Sequence, residues 1–392
     1  MMMLGIWIID ILKGLGMMFI QPLFYWIIFL LFIMGWRRIK QERRQFGRKI
    51  FTLFSETHGT LVLSIIFSII LSLLTIFFGI VVSLEIIVVL TLVIIVVSLT
   101  GKTHYLSASY TLGITFLIVT LLPYVNLGTI ENYLDFDRVT IVQLLSLGFI
   151  MVVMLFLESL LMSNKKGLSF PEMKLGARGK WIGQHRIKRV AMIPFFILLP
   201  VGHAELTLPL FPYFEVSGNG YQLVFLPFII GVNYTVRSLL PTYAAKRIGQ
   251  HTWILAVITL FLMMTSLYYP YFSIIAFFIA IIGKEWITYQ HKKKDKETAA
   301  IFTPIDEGLK VLAILPNTPG DRLDIQIGET IVKVNGQAVN DSADYYDALQ
   351  NSGAYFKLDV LNNQGEIRFV SGAFYEEDHY ELGLVFVREP SR

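Results

Sequence analysis

The pattern of apolar positions divides the chain in two: long unbroken hydrophobic runs come first, and short stretches that alternate apolar and polar residues come last. A helix needs about 20 apolar residues to cross a bilayer, whereas a period of two marks a half-buried strand. The first firm run is 19–36, and 61–83, 86–99, 106–125 and 140–162 follow it. Two more, 190–210 and 221–240, bracket a loop rich in Pro and Gly, and a last pair, 252–269 and 271–287, is separated by Pro270. Residues 1–16 are apolar but short, with Asp10 and Lys13 three apart, and read either as a crossing or as a helix at the interface. The expectation is a polytopic all-α membrane bundle of about eight to ten spans over residues 1–290.

Charge refines this picture. Residues 1–296 hold 26 Lys+Arg against 13 Asp+Glu, and residues 297–392 hold 7 against 16, within an overall balance of +4. The basicity therefore lies on membrane flanks, and nucleic acid is not an expected partner. Seven basic residues stand against Glu42 in 37–49, and eight stand against Glu172 in 163–189. Loop 126–138 has Glu131, Asp135 and Asp137 with one basic residue. All the basic loops fit one topology, which places a domain at 303–390 in the cytoplasm after a charged linker at 291–302. With no cysteine, disulfides, thiolate catalysis and cysteine metal ligands are excluded. The N-terminus lacks both a basic region before its apolar run and a small-residue cleavage site, so it is expected to be retained.

Ionisable residues in or beside spans are costly and often functional. Glu85, Glu158, His203, Glu205 and Arg237 are of this kind, but each stands near an expected span end, where side chains reach headgroups or water. That placement speaks against a transport path.

The last part carries a different pattern. Stretch 317–336 reads as turn, short helix, turn, strand and tight turn, with Thr318-Pro319-Gly320 breaking the chain and Asn335-Gly336 closing the strand as a hairpin turn. A strand is expected at 308–314, a helix at 343–350 capped by Ser342, and alternating strands at 355–360 and 366–370. These features resemble a bacterial PDZ domain: a small, mostly β, partly open barrel with two helices. The closing Tyr380-Glu381-Leu382-Gly383-Leu384-Val385-Phe386-Val387 resembles the PDZ carboxylate-binding loop and the strand after it, which implies a circularly permuted domain. In such a loop successive backbone N–H groups, free of bulk at Gly383, face a carboxylate, and the edge strand takes a peptide by β-augmentation. Leu384, Phe386, Tyr345, Ala348 and Leu349 would then line the side-chain pocket. The plainer alternative is that 381–387 is only an edge strand of the domain's own sheet.

Membrane-attached PDZ modules are frequent in proteases, whose chemistry requires further motifs. None of the seven histidines is followed by Glu, which closes the His-Glu-x-x-His zinc route. Ser217-Gly218-Asn219-Gly220 echoes a serine-protease nucleophile only faintly, and no barrel-sized soluble stretch surrounds it. No Gly-rich phosphate loop and no other cofactor motif appears. The combination of basic-flanked spans, charged linker and terminal PDZ-like domain resembles the MinJ family of division-site-selection proteins. That resemblance runs through Gln21-Pro22-Leu23-Phe24-Tyr25-Trp26, Leu99-Thr100-Gly101-Lys102 and Glu381-Leu382-Gly383-Leu384. It implies a non-enzymatic scaffold at septa and poles, bridging a DivIVA-type coiled-coil protein to the MinD ATPase. Oligomeric state is left open, a homo-oligomer included. The rival readings are a non-catalytic regulator of a membrane protease and a transporter with a PDZ accessory domain.

Overall fold

The computed structural model describes residues 12–125, 136, 139–165, 167–176, 179–201, 213–216, 219–374 and 382–387. Helix α1 (Pro22–Phe46) begins with Pro, whose missing N–H is an orphan there in any case, and ends at Gly47 in the left-handed region (φ 72°). The basic segment after Trp36, expected as a loop, is the continuation of this helix. Helices α2 (Leu61–Phe78), α3 (Leu84–Leu99) and α4 (Ala108–Leu121) follow. A capping box of Thr140 and Gln143 starts α5 (Ile141–Ser163). Helices α6 (Pro241–Ser266) and α7 (Tyr271–Glu297) form the last hairpin, and the Lys-rich segment expected as linker is the end of α7. Among the described residues five helices, α1, α2, α5, α6 and α7, are long and apolar enough to cross a membrane, whereas α3 and α4 are shorter. Of residues 1–16 only 12–16 are described; they are helical, and Leu15 packs on Phe196 and Leu198.

Runs 190–210 and 221–240, which hydropathy predicts as helices, are not helical where they are described. Four strands, β1 (Phe170–Leu175), β2 (Trp181–Val201), β3 (Tyr213–Val216) and β4 (Asn219–Val236), make an antiparallel sheet in the order β1-β2-β4-β3. The β2–β4 ladder extends from His185↔Val236 to Val201↔Gly220. One face, with Ile193, Phe195, Ile197, Leu226 and Phe228, joins the main helical core beside Phe116, Met154 and Leu155. The other face forms a second cluster of Phe196, Leu198, Leu223 and Phe225. A strand buried on both faces reads as one continuous apolar run, so its period cannot separate it from a helix.

The hairpin also solves the problem of backbone polarity in an apolar setting, where an open sheet edge is not tolerated. Phe196 N–H donates to Ser72 Oγ (3.0 Å), Val82 N–H to the Leu198 carbonyl (2.9 Å) and Thr60 Oγ1 to the Val190 carbonyl (3.0 Å). Helix α2 and its flanks thus close the outer edge of β2. Even-numbered residues of β2 here turn their backbone groups away from β4, so by alternation Pro194↔Pro227 falls where no ladder bond is made.

The C-terminal domain follows the expected order: β5 (Leu309–Ile314), α8 (Pro319–Arg322), β6 (Thr330–Val334), β7 (Gln337–Ala338), α9 (Ser342–Gln350), β8 (Tyr355–Leu361), β9 (Ile367–Ala373) and β10 (Leu384–Phe386). Its sheet order is β10-β5-β6-β8-β9, with β7 on β6. Asn335 and Gly336 (φ 50° and 83°) make the tight turn between β6 and β7. The whole is therefore a helical N-terminal region with several apolar helices, carrying an inserted sheet, and then a small β-rich domain.

Candidate peptide-binding site

Among the described residues strand β10 stands at the end of its sheet, paired to β5 on one side only. The loop after β5 sets its entry: Leu315 N–H donates to the Gly383 carbonyl and Gly320 N–H to the Leu382 carbonyl, both at 2.8 Å. Gly383 has φ 74°, and a Cβ there would lie 2.3 Å from Thr318 Oγ1, so both backbone and space demand glycine. Facing the strand is α9. Its cap is Asp341, one residue before the expected Ser342, and the carboxylate accepts the Asp344 N–H at 2.8 Å.

The residues singled out in the sequence come together here. Leu382, Leu384, Phe386, Tyr345, Ala348 and Leu349 share one buried cluster, and the Tyr345 ring meets Phe386 edge-on with centroids 4.8 Å apart. Their side chains fill the space between helix and strand, and every residue from Leu382 to Val387 is buried. Tyr380 and Glu381 lie outside the described residues, as do His203, Glu205 and Ser217.

The opposite face of β10 was not legible in the sequence. Val385 and Val387 pack with Phe302, Leu312 and Ala313 against Phe46, Ile50, Phe51, Phe170 and Met173 of the membrane part. Arg48 reaches the Leu384 carbonyl at 3.4 Å, and Gly183 N–H donates to the Phe302 carbonyl at 2.7 Å. His185 is fully buried beneath this contact, its ring 4.8 Å from that of Phe302 and its Nδ1 3.2 Å from Ser169 Oγ. Burial holds its pKa down to about 3, so it is neutral. Beside it lies a buried charge network: Arg38 bonds Glu42 and Glu56, Lys188 lies 3.6 Å from Glu56, and Arg186 pairs with Glu172 at 2.9 Å.

Glu158 corrects an expectation. It does not reach headgroups: it is fully buried, accepts the Ser107 hydroxyl at 2.6 Å and pairs with the buried Lys284 ammonium. Arg237 is at the basic end and bonds the Asp295 and Lys296 carbonyls. Glu85 opens α3, where the helix dipole favours a carboxylate.

Residues 310–361 match the PDZ domain family. Over 385 residues, 98% of this chain and 96% of the relative, the sequence is 29% identical to the cell division topological determinant MinJ of Bacillus subtilis (strain 168). Over 189 residues, 45% of this chain and 48% of the relative, it is 21% identical to the probable cell division topological determinant MinJ of Lacticaseibacillus paracasei. A stretch of 68 residues, 17% of this chain and 15% of the relative, is 34% identical to the serine protease HTRA3 of Mus musculus.

Proposed function

The chain is MinJ-like along nearly its whole length, and from that premise we propose that it is a cell-division topological determinant acting by recruitment rather than catalysis. The similarity over 98% of the chain is the observation that carries this reading. The site fits it: an edge strand beside a helix offers backbone pairing to a partner segment, and its attachment to apolar helices confines the encounter to a membrane and raises effective concentration. In its finer form, the protein bridges a DivIVA-type coiled-coil protein to the MinD ATPase and so restricts assembly of the division ring. In this reading the protein is multi-pass, with the basic flanks supporting a cytoplasmic PDZ domain and the likeness to a division determinant supporting enrichment at septa and poles.

A fluorescent fusion in dividing cells of the native host tests this. Signal at septa and poles that disperses when the polar coiled-coil protein is deleted is the expected result; uniform membrane signal with normal cell length on deletion of the gene would sink the proposal. At the site, Gly383→Val or Leu384→Glu is expected to reduce partner recovery in a pull-down at least tenfold, with the protein still in the membrane fraction. Unchanged recovery would remove β10 from the binding surface. The short likeness to HTRA3 favours a second reading, a non-catalytic regulator of a membrane protease. Under it, turnover of a protease substrate depends on this chain and division-site placement does not.

A further inference from the structure

A groove of about 470 Å³ lies between α6 and α7 at the basic end of the bundle, apart from β10 and its docking contacts. Its walls include Leu255, Ile258, Trp286 and Ile287, and its mouth carries Arg247 and Lys294, both exposed. Asp295, the acidic residue in the lining, is already satisfied: it accepts the Ser238 hydroxyl at 2.7 Å and the N–H groups of Arg237 and Ser238 at 3.0 Å each. Arg237, outside the lining, pairs with the other Asp295 oxygen at 3.9 Å, so Arg247 and Lys294 leave the mouth with a positive balance.

Length and width then select the ligand. From Arg247 to Ile258 a helix advances about 16 Å, roughly half of the ~30 Å hydrocarbon thickness, so the groove is one leaflet deep. A docked helix of ~10 Å diameter is too broad for the gap: the walls close on each other at Gly283, where a Cβ would lie 2.5 Å from Leu255 Cδ1. A single hydrocarbon chain is slender enough. Both walls belong to helices long and apolar enough to cross a membrane, so the groove faces lipid. We propose that it binds an anionic phospholipid of the leaflet at the basic end. The phosphate sits between Arg247 and Lys294, and one acyl chain runs along Leu255, Ile258 and Trp286. The headgroup would then clamp the same turn of α7 that Asp295 fastens to Arg237 and Ser238.

Native mass spectrometry of the purified full chain titrated with phosphatidylglycerol, and with phosphatidylcholine of the same acyl chains, tests the site. A retained phosphatidylglycerol adduct is expected, with phosphatidylcholine held far more weakly. Arg247→Ala with Lys294→Ala should weaken it roughly thirtyfold, the equivalent of about 2 kcal/mol at about 1 kcal/mol per basic residue. Ile258→Trp, which fills the groove, should abolish the adduct, whereas Arg37→Ala with Lys102→Ala, basic residues elsewhere on the same flank, should leave it intact. Equal retention of the two lipids, or an undiminished adduct in the Arg247/Lys294 variant, overturns the proposal. So does loss of a protein partner from that variant with lipid retention unchanged, which would assign the groove to a polypeptide.

Discussion

At the scale of single residues the hardest constraint is Glu158 with Lys284, an ion pair sealed in the helical core. Removing one partner of a buried pair costs about 3–5 kcal/mol, whereas replacing both with apolar residues of similar volume is close to neutral. Glu158→Ala is therefore expected to lower the melting temperature in detergent by many degrees, and Glu158→Leu with Lys284→Met to restore most of it. Equal losses in the two variants, followed by tryptophan fluorescence, would show that the pair itself is not what matters. The sequence announced Glu158 as a carboxylate in an apolar run. It did not announce the partner, because Lys284 lies near the end of its run, where a lysine is indistinguishable from a flanking residue, and 126 positions separate the two.

At the scale of elements, β8 and β9 of the C-terminal domain were legible because one face of each meets a core and the other meets water, which writes a period of two into the sequence. The β2–β4 hairpin was not, since both of its faces are covered. What could have flagged it is proline: Pro194 and Pro227 fall inside the runs, where a helix would lose about 3 kcal/mol at each. The absence of native cysteine makes a direct test clean. Phe196 and Phe225 are register partners at a non-hydrogen-bonded position, where Cα atoms lie about 4.5 Å apart, within disulfide reach. Cysteines at 196 and 225 are expected to cross-link on mild oxidation, whereas cysteines at 196 and 229, displaced four residues along β4, are not. Failure of the 196/225 pair to cross-link would overturn the ladder. The edge closure has its own signature: Ser72→Ala strands the Phe196 N–H and is expected to cost about 1–3 kcal/mol, which thermal unfolding beside a Ser68→Ala control would detect.

At the scale of the whole molecule, the C-terminal domain is fastened to the membrane part through residues drawn from far-separated segments: Phe46 to Phe51, Phe170, Met173, Phe302, Leu312 and Val385. No local period encodes such a contact, so its location was outside what sequence reasoning reaches. His185 makes the contact pH-sensitive. Exposed, its ring takes up a proton near its ordinary value of 6.5; docked, it resists protonation down to about 3. As pH falls below 6.5 the undocked state therefore binds a proton that the docked state refuses, and docking weakens. Hydrogen exchange in β5 and β10 is expected to quicken at pH 5.5 relative to pH 7.5 in the native chain and to change far less in His185→Gln. The same acceleration in both would assign the effect to other groups.

The long strand β2 gives this arrangement a further meaning. Its far end, Val201, pairs with Gly220, and near its other end Gly183 is bonded to Phe302 at the base of the C-terminal domain. The intervening backbone covers about 60 Å at about 3.3 Å per residue, and a strand tied into a ladder has no slack to take up. Displacement at one end is delivered to the other, as by a push rod. The base of the C-terminal domain and the far turn of the hairpin are thereby two ends of one continuous hydrogen-bonded ladder.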